Sequence, residues 1–369
     1  MIVLITGING FIGKNLKTML LERGHEVLGL DKDDEPYTWK EYVNKADFIV
    51  HLAGVNRPLS KEEFVDGNVN TIVRVVNILK DSKKIVPIIL SSSVQAVYDN
   101  PYGKSKKAAE DYLFNYQRTN DNPVFVFRFQ NVFGKWSRPN YNSMVATFCY
   151  NIARGIEINI NDAAPKINFV YIDDLCHELI SVIEGTSKRD SKEIQYIPTD
   201  YNYTPREIAN LLYSFKESRN NLSIIDQNDA FIKKLYATYL SFLPENDFSY
   251  KLVSHVDERG SFTEILKSDD RGQFSLNIIE PNVTKGNHYH HTKNEKFLVI
   301  KGKCIISFRK IDSDEVLTYE VNDKTLEVVD IPPGYTHNIK NIGEERAYVF
   351  MWANEKFDKE HPDTTYLEV

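Results

Sequence analysis

Cysteine is scarce in this chain: Cys149, Cys176 and Cys304 are odd in number and widely separated. That spacing builds neither a disulfide framework nor a thiolate metal site. Long apolar runs are missing as well, and none reaches the roughly 18 residues of a membrane span. Basic residues do not dominate. Lys and Arg number 45 against 52 Asp and Glu, a formal net charge of −7, whereas a nucleic-acid protein shows a basic face. A first strand beginning at residue 2 leaves no room for a signal peptide. The expectation is a soluble protein of a reducing compartment, cytoplasmic, with no nucleic-acid or membrane partner. At a prior of roughly 150 residues per domain, 369 residues make two domains.

What is present starts at the first residues. Ile2-Val3-Leu4-Ile5 reads as a buried strand, and Gly7, Gly10 and Gly13 follow at a spacing of three. One glycine permits the tight turn, one lets a pyrophosphate approach the backbone, and one lets the helix pack on the strand. The free N–H groups of that helix, Phe11 to Arg23, hold phosphate at the positive end of its dipole. Gly24 stops the helix, and Glu26 to Leu30 forms the second strand, closed by Asp31. A carboxylate there accepts from a ribose 2′-hydroxyl and favours NAD(H). Lys32 follows directly and can pair with a 2′-phosphate, so NADP(H) stays open.

Strand and helix patterns then alternate, which implies a doubly wound parallel sheet with helices on both faces. Phe48 to Gly54 is a short strand ending in Leu52, Ala53 and Gly54, small enough at its end for a flat cofactor ring. His51 within it reads as structural. A helix is expected over Lys61–Ser82 and a strand over Ile85–Leu90, running into Ser91-Ser92-Ser93. Asn100-Pro101 supplies an N-cap and a first helical residue. The helix they open puts Tyr102 and Lys106, four apart, on one face. An ammonium there is expected to lower the pKa of the phenol. A phenol so tuned can pass a proton to a sugar oxygen as hydride leaves nicotinamide, with Ser93 hydrogen-bonding the reacting carbonyl.

These stretches resemble the extended short-chain dehydrogenase/reductases that act on nucleotide sugars. Carrying the resemblance are Thr6–Gly13, His51–Gly54, Ser91–Ser93, Tyr102-x-x-x-Lys106, Arg128–Gly134 and Asn168–Asp174, six ordered motifs over about residues 1–240. The resemblance implies Tyr102 as acid/base, Lys106 as its partner and Ser93 as carbonyl donor. Its cofactor residues are Gly7, Asn9, Gly10, Phe11, Ile12, Gly13, Asp31, Lys32, Leu52, Ala53 and Gly54, with Tyr102 and Lys106. Asn131 faces the nucleotide sugar, and Arg138, beside Lys135 and Arg154, is a candidate partner for its diphosphate. The helices Lys61–Ser82 and Tyr102–Arg118 are candidates for a homodimer bundle.

Near Leu243 the texture changes to short β-branched and aromatic runs broken by turns, read as an all-β sandwich or barrel. The domains are therefore expected at 1–243 and 244–369. Strands are expected at Ser275–Glu280, Lys296–Ile300, Cys304–Arg309, Leu326–Ile331 and Ala347–Trp352. Six of nine histidines lie in the last third of the chain. His288 and His290 share a strand face, and Glu295 and His337 can complete a site suited to zinc. His288-x-His290, four residues, Glu295, six residues, Gly302, then Pro332-Pro333-Gly334-x-x-His337-x-x-x-Asn341, resemble both motifs of the cupin superfamily. Arg259-Gly260-Ser261-Phe262 points to its sugar-modifying members, which epimerise keto sugars.

The fused pair resembles the bifunctional enzymes of capsular-polysaccharide synthesis. The resemblance implies a UDP-linked 2-acetamido-2,6-dideoxy-4-hexulose, epimerised at carbon 3 in the cupin domain. Reduction of its carbon-4 ketone with NADPH in the first domain would yield UDP-N-acetyl-6-deoxy-L-talosamine. Two other readings are a 4-epimerase or dehydratase with permanently bound NAD, and a redox-sensing sugar-binding scaffold.

Overall fold

Alternate residues of the first strand bury into different cores. Val3 and Ile5 face one cluster, completed by Leu16, Leu20, Val50 and Leu179, while Leu4 faces another with Trp39, Ile49, Val75 and Leu113. Period-two alternation with apolar residues on both sides is the signature of a sheet covered on both faces. The computed structural model describes residues 1–58, 60, 62–191 and 193–369. Its first elements are β1 (Ile2–Thr6), α1 (Phe11–Glu22), β2 (Glu26–Leu30), α2 (Pro36–Lys45) and β3 (Phe48–His51). Next come α3 (Glu62–Val65), α4 (Thr71–Ser82), β4 (Ile88–Ser93), α5 (Pro101–Asn120), β5 (Val124–Phe129) and β6 (Asn131–Phe133). The series ends with α6 (Met144–Ala153), β7 (Ile167–Tyr171), α7 (Ile172–Ile183), β8 (Ile194–Gln195), β9 (Tyr201–Tyr203), α8 (Pro205–Asn221) and α9 (Ala230–Leu240).

Six strands form a wholly parallel sheet in the order β2-β1-β3-β4-β5-β8. A small sheet, β6-β7-β9, stands beside it. The order reverses direction at β1 and β3, so the carboxyl ends of these strands flank the crevice where such folds take ligands. The single helix expected over Lys61–Ser82 is interrupted. Lys61 lies outside the described residues, and Asp66–Asn70 forms a π-helical turn between α3 and α4. Ile85 is 63% exposed and precedes β4, which begins three residues later than expected.

Two compact units divide the chain, residues 1–214 with 227–245, and residues 215–226 with 246–369. Apart from the end of α8, the second unit is built of strands that pair antiparallel. It comprises β10 (Ser254–Asp257), β11 (Gly260–Ser268), β12 (Gly272–Ile279), β13 (Thr284–Tyr289), β14 (Glu295–Lys301) and β15 (Lys303–Lys310). It continues with β16 (Val316–Asn322), β17 (Val328–Ile331), β18 (Tyr335–Asn341), β19 (Ala347–Ala353) and β20 (Thr365–Tyr366). One sheet runs β10-β11-β12-β19-β14-β17 and the other β16-β15-β18-β13-β20. Phe297, Val299, Ile306, Phe308, Ile339 and Val349 fill the core of this unit. The strands β16 and β18 escape an apolar pattern search. β16 exposes all but two residues, and β18 turns His337 and Asn341 inward. No helix among the described residues is long and apolar enough to cross a membrane.

Candidate active sites

The glycine loop separates its three glycines by geometry. Gly7 has φ of 73°, and a Cβ there would lie 2.9 Å from the amide nitrogen of Ala53, in the left-handed region that favours glycine. A Cβ on Gly13 would meet the carbonyl oxygen of Gly7 at 2.4 Å, which makes this the close-packing glycine. Gly10 is the N-cap of α1 without a side-chain cap, and the nearest atom to a Cβ there is 3.1 Å away. The first turn of α1, with Phe11 and Ile12 half-buried, therefore leaves its amides for an anion. Asp31 closes β2, accepting from the main-chain N–H and side-chain amide of Asn9. Lys32 is exposed. A cradle shaped by absent Cβ atoms, with a carboxylate at the end of β2, fits an adenine dinucleotide.

Across the crevice, β3 ends at His51, and Leu52 and Ala53 continue half-buried toward Gly54. The His51 imidazole bonds the Thr6 hydroxyl at 2.9 Å. Burial, with help from the Lys106 cation, pushes it down to about 3. It is a neutral structural histidine.

Asn100 caps α5 by accepting from the Gly103 N–H at 2.8 Å, which sets Tyr102 and Lys106 on its first turns. Lys106 is buried and donates from Nζ to the carbonyl of Ser91 at 3.0 Å. Its cation sits 5.9 Å from the ring centroid of Tyr102. Burial lowers it to about 8, opposed by the nearby Glu110 carboxylate. The phenol does not follow the sequence expectation. Burial holds Tyr102 above its ordinary value, and only the hydrogen bond from Ser93 opposes this. The correction has a physical cause: the ammonium lies against the ring face and bonds to Ser91, while desolvation disfavours the phenolate.

The structure separates the serines. Ser93 accepts from the Gln95 N–H at 3.1 Å and meets the Tyr102 phenol. Ser92 instead donates to Glu110, whose carboxylate takes a two-pronged hydrogen bond from Arg128 at 2.8 and 2.6 Å. Asn131 is exposed on β6, with its amide 3.3 Å from the carbonyl of Asn168. Arg138 is exposed and lies over the ring of Tyr141. Lys135 pairs with Asp173, and Arg154 donates to the carbonyl of Phe242 at 2.8 Å. Those two cations are thus engaged within the fold. Sequence reasoning passed over Glu110 and Asn68. The latter sits buried in the π-helical turn and donates to Ser105 at 2.9 Å. An off-pattern buried amide and a carboxylate one turn past Lys106 were the available signals.

In the second unit β13 pairs with β18 so that His288 stands opposite His337. His290 lies one residue beyond the end of β13 rather than on it, yet its ring centroid is 5.0 Å from that of His288. Glu295 opens β14, and ligand atoms of His288, His290, Glu295 and His337 all lie within 4.8 Å of one another. His290 Nε2, Glu295 Oε2 and His337 Nε2 are buried with no hydrogen-bond partner. Two orphaned imidazoles and an orphaned carboxylate oxygen, with His288 gathered beside them, fit a divalent cation such as zinc.

Burial takes His288 down to about 4. Burial works to raise the Glu295 carboxyl, but His290, His337 and Lys293 outweigh it and hold it well below the usual carboxylate range. His288, Glu295 and His337 line a cavity of about 680 Å³, together with Phe262, Lys285 and Met351. Half-buried Lys285 donates to Asn277 and to the carbonyl of Ile278. Burial lowers its pKa. Lys285 and Asp363 went unremarked in the sequence because neither stands in a motif.

Residues 3–197 match the NAD dependent epimerase/dehydratase family, and residues 255–365 match the polysaccharide biosynthesis C-terminal domain. The chain is 45% identical over 363 residues to a UDP-2-acetamido-2,6-beta-L-arabino-hexul-4-ose reductase of Pseudomonas aeruginosa, covering 98% of this chain and 97% of that one. The capsular polysaccharide assembling protein CapF of Staphylococcus aureus superposes with a TM-score of 0.94 at 49% identity, all of both chains being covered. A UDP-glucose 4-epimerase of Thermus thermophilus in complex with NAD shares the fold, with TM-score 0.55 and 18% identity over 66% of this chain and 99% of that one. By the glycine cradle, the Tyr102–Lys106 helix and these matches together, the chain belongs to the NAD dependent epimerase/dehydratase family and carries a polysaccharide biosynthesis C-terminal domain.

Proposed function

We propose that the chain is a two-site nucleotide-sugar enzyme acting on a UDP-linked 2-acetamido-2,6-dideoxy-4-hexulose. The second unit, read as a cupin, inverts carbon 3. The first unit reduces the carbon-4 ketone with NADPH, and the product is UDP-N-acetyl-6-deoxy-L-talosamine, destined for capsular polysaccharide. The observation that carries this is one chain holding two unlike chemistries. A Ser93–Tyr102–Lys106 constellation stands with a dinucleotide cradle in one unit, and a histidine-walled cavity lies in the other.

In the first unit the reduced nicotinamide, when bound, supplies hydride. Tyr102 gives its phenolic proton to the carbon-4 oxygen, so a phenol held above its ordinary value suits the reductive direction. Ser93 donates to the same oxygen, and the Lys106 ammonium stabilises the phenolate left behind. Asn131 and Arg138 face the sugar and the diphosphate. In the second unit the ketone acidifies the proton on carbon 3, and a cavity imidazole removes it. Lys285 offers a cation toward the enolate oxygen. Zinc, when held by His288, His290, Glu295 and His337, supplies Lewis-acid polarisation. The Asp31 carboxylate favours NADH, whereas net reduction favours NADPH, and Lys32 is the cation available for a 2′-phosphate. We take the assembly to be a cytoplasmic homodimer.

The test is incubation with the UDP-4-keto sugar and each reduced cofactor in deuterated water. Deuterium at carbon 3 and cofactor oxidation report on the two units separately. Tyr102→Phe is expected to slow oxidation by about 10²–10⁴-fold while exchange continues. Loss of both in that variant, or turnover without added cofactor, would sink the reading.

A further inference from the structure

The histidine cluster is held in shape by residues that lie some 70 positions away along the chain. His290 is 1% exposed, and its Nδ1 lies 2.5 Å from the main-chain carbonyl of Asp363. A carbonyl only accepts, so Nδ1 carries the proton and Nε2 is left as a bare lone pair. That Nε2 is the buried atom without a partner, 3.5 Å from Glu295 Oε2. The Asp363 side chain gathers the loop between the two ligands. Its carboxylate accepts from the N–H groups of His291 at 2.9 Å, Thr292 at 2.7 Å and Lys293 at 2.8 Å, and from the Thr292 hydroxyl at 3.0 Å. Beyond it, β20 pairs with β13 at His288 and Tyr289, and Leu367 donates to the carbonyl of Asn287 at 3.0 Å. The C-terminal strand thus straps the histidine strand from outside.

We propose that Asp363 is a positioning residue of the cation site, its carboxylate anchoring its own carbonyl so that His290 is locked as the Nδ1–H tautomer with Nε2 aimed at the ion. The proposal rests on reading the cluster as a divalent-cation site. A carboxylate that merely capped the 291–293 loop would need no contact with the imidazole. Here one residue makes both contacts, through main chain to the ring and through side chain to the loop. Outer partners of this kind fix the ring orientation and basicity of a ligating histidine.

Full-length protein and its Asp363→Ala and Asp363→Asn variants are to be compared in two ways. Zinc affinity is measured by chelator competition, and the histidine ring tautomers of the metal-free protein by ¹⁵N NMR, with His290→Asn assigning the signals. The expected result is about 10–100-fold weaker zinc binding in Asp363→Ala, with His290 passing into mixed tautomers, and a smaller change in Asp363→Asn, which keeps one acceptor oxygen. Should Asp363→Ala fail to fold, the asparagine variant carries the comparison. Unchanged affinity, or weaker binding with the His290 tautomer intact, overturns the proposal. A wild-type protein that binds no zinc overturns the cation reading itself, which is a different failure.

Discussion

Lys106 donates from Nζ to the carbonyl of Ser91 at 3.0 Å and stands 5.9 Å from the ring of Tyr102. The bond joins the end of β4 to the first turns of α5, so the cation is fixed by the sheet as much as by its own helix. Its burial lowers it to about 8, and under the proposed function that value sets a pH limit on ketone reduction. Below it the ammonium is present to stabilise the phenolate formed as Tyr102 gives up its proton. Above it the charge is gone. The rate of reduction, followed by cofactor oxidation, is expected to fall as pH rises through about 8, and Lys106→Met to be slow with no such limb. A wild-type rate that rises through this range would refute the assignment.

Gly10 and Gly13 separate binding from folding. Gly13→Ala puts a Cβ at 2.4 Å from the carbonyl of Gly7 and 2.7 Å from that of Ile8. Both obstacles are main chain, so the turn must open, at an expected cost of about 1–3 kcal/mol in denaturant unfolding and with weakened cofactor binding. Gly10→Ala meets nothing closer than 3.1 Å. It is expected to cost less stability than Gly13→Ala while weakening the reduced dinucleotide in a fluorescence titration, because the added methyl occupies the approach of the pyrophosphate.

Glu110 is wholly buried and faces Arg128, which is 11% exposed. Removing one partner of such a pair leaves an uncompensated buried charge. Glu110→Ala is expected to cost about 3–5 kcal/mol in unfolding of the first unit. Because Glu110 also raises the pKa of Lys106, Glu110→Gln is expected to shift the alkaline limb of reduction to lower pH. A limb that stays in place in the glutamine variant would show that the two groups are not coupled.

Much of this was legible in local pattern. The glycine spacing, the Asn100-Pro101 cap, and the four-residue step from Tyr102 to Lys106 are all encoded within one turn or one helix, where backbone geometry leaves few alternatives. The same holds for the spacing of His288, His290 and Glu295, which flank one short loop. Other features escaped because no short-range period carries them. β18 hides its strand pattern by burying His337 and Asn341. The Asp66–Asn70 turn looks helical in sequence, and its π geometry shows only in the backbone.

The sequence alone determined the strand–helix alternation of the first half, the glycine cradle and the close spacing of His288, His290 and Glu295, since each follows from steric and hydrogen-bonding rules acting over a few residues. Tertiary structure decided the rest. Cross-strand register sets His337 opposite His288, and a fold spanning 73 positions brings Asp363 to His290. The separation of Ser92 from Ser93 depends on a carboxylate 18 residues along the chain. The direction of the Tyr102 phenol depends on desolvation, an effect of everything packed around it, which no stretch of sequence contains.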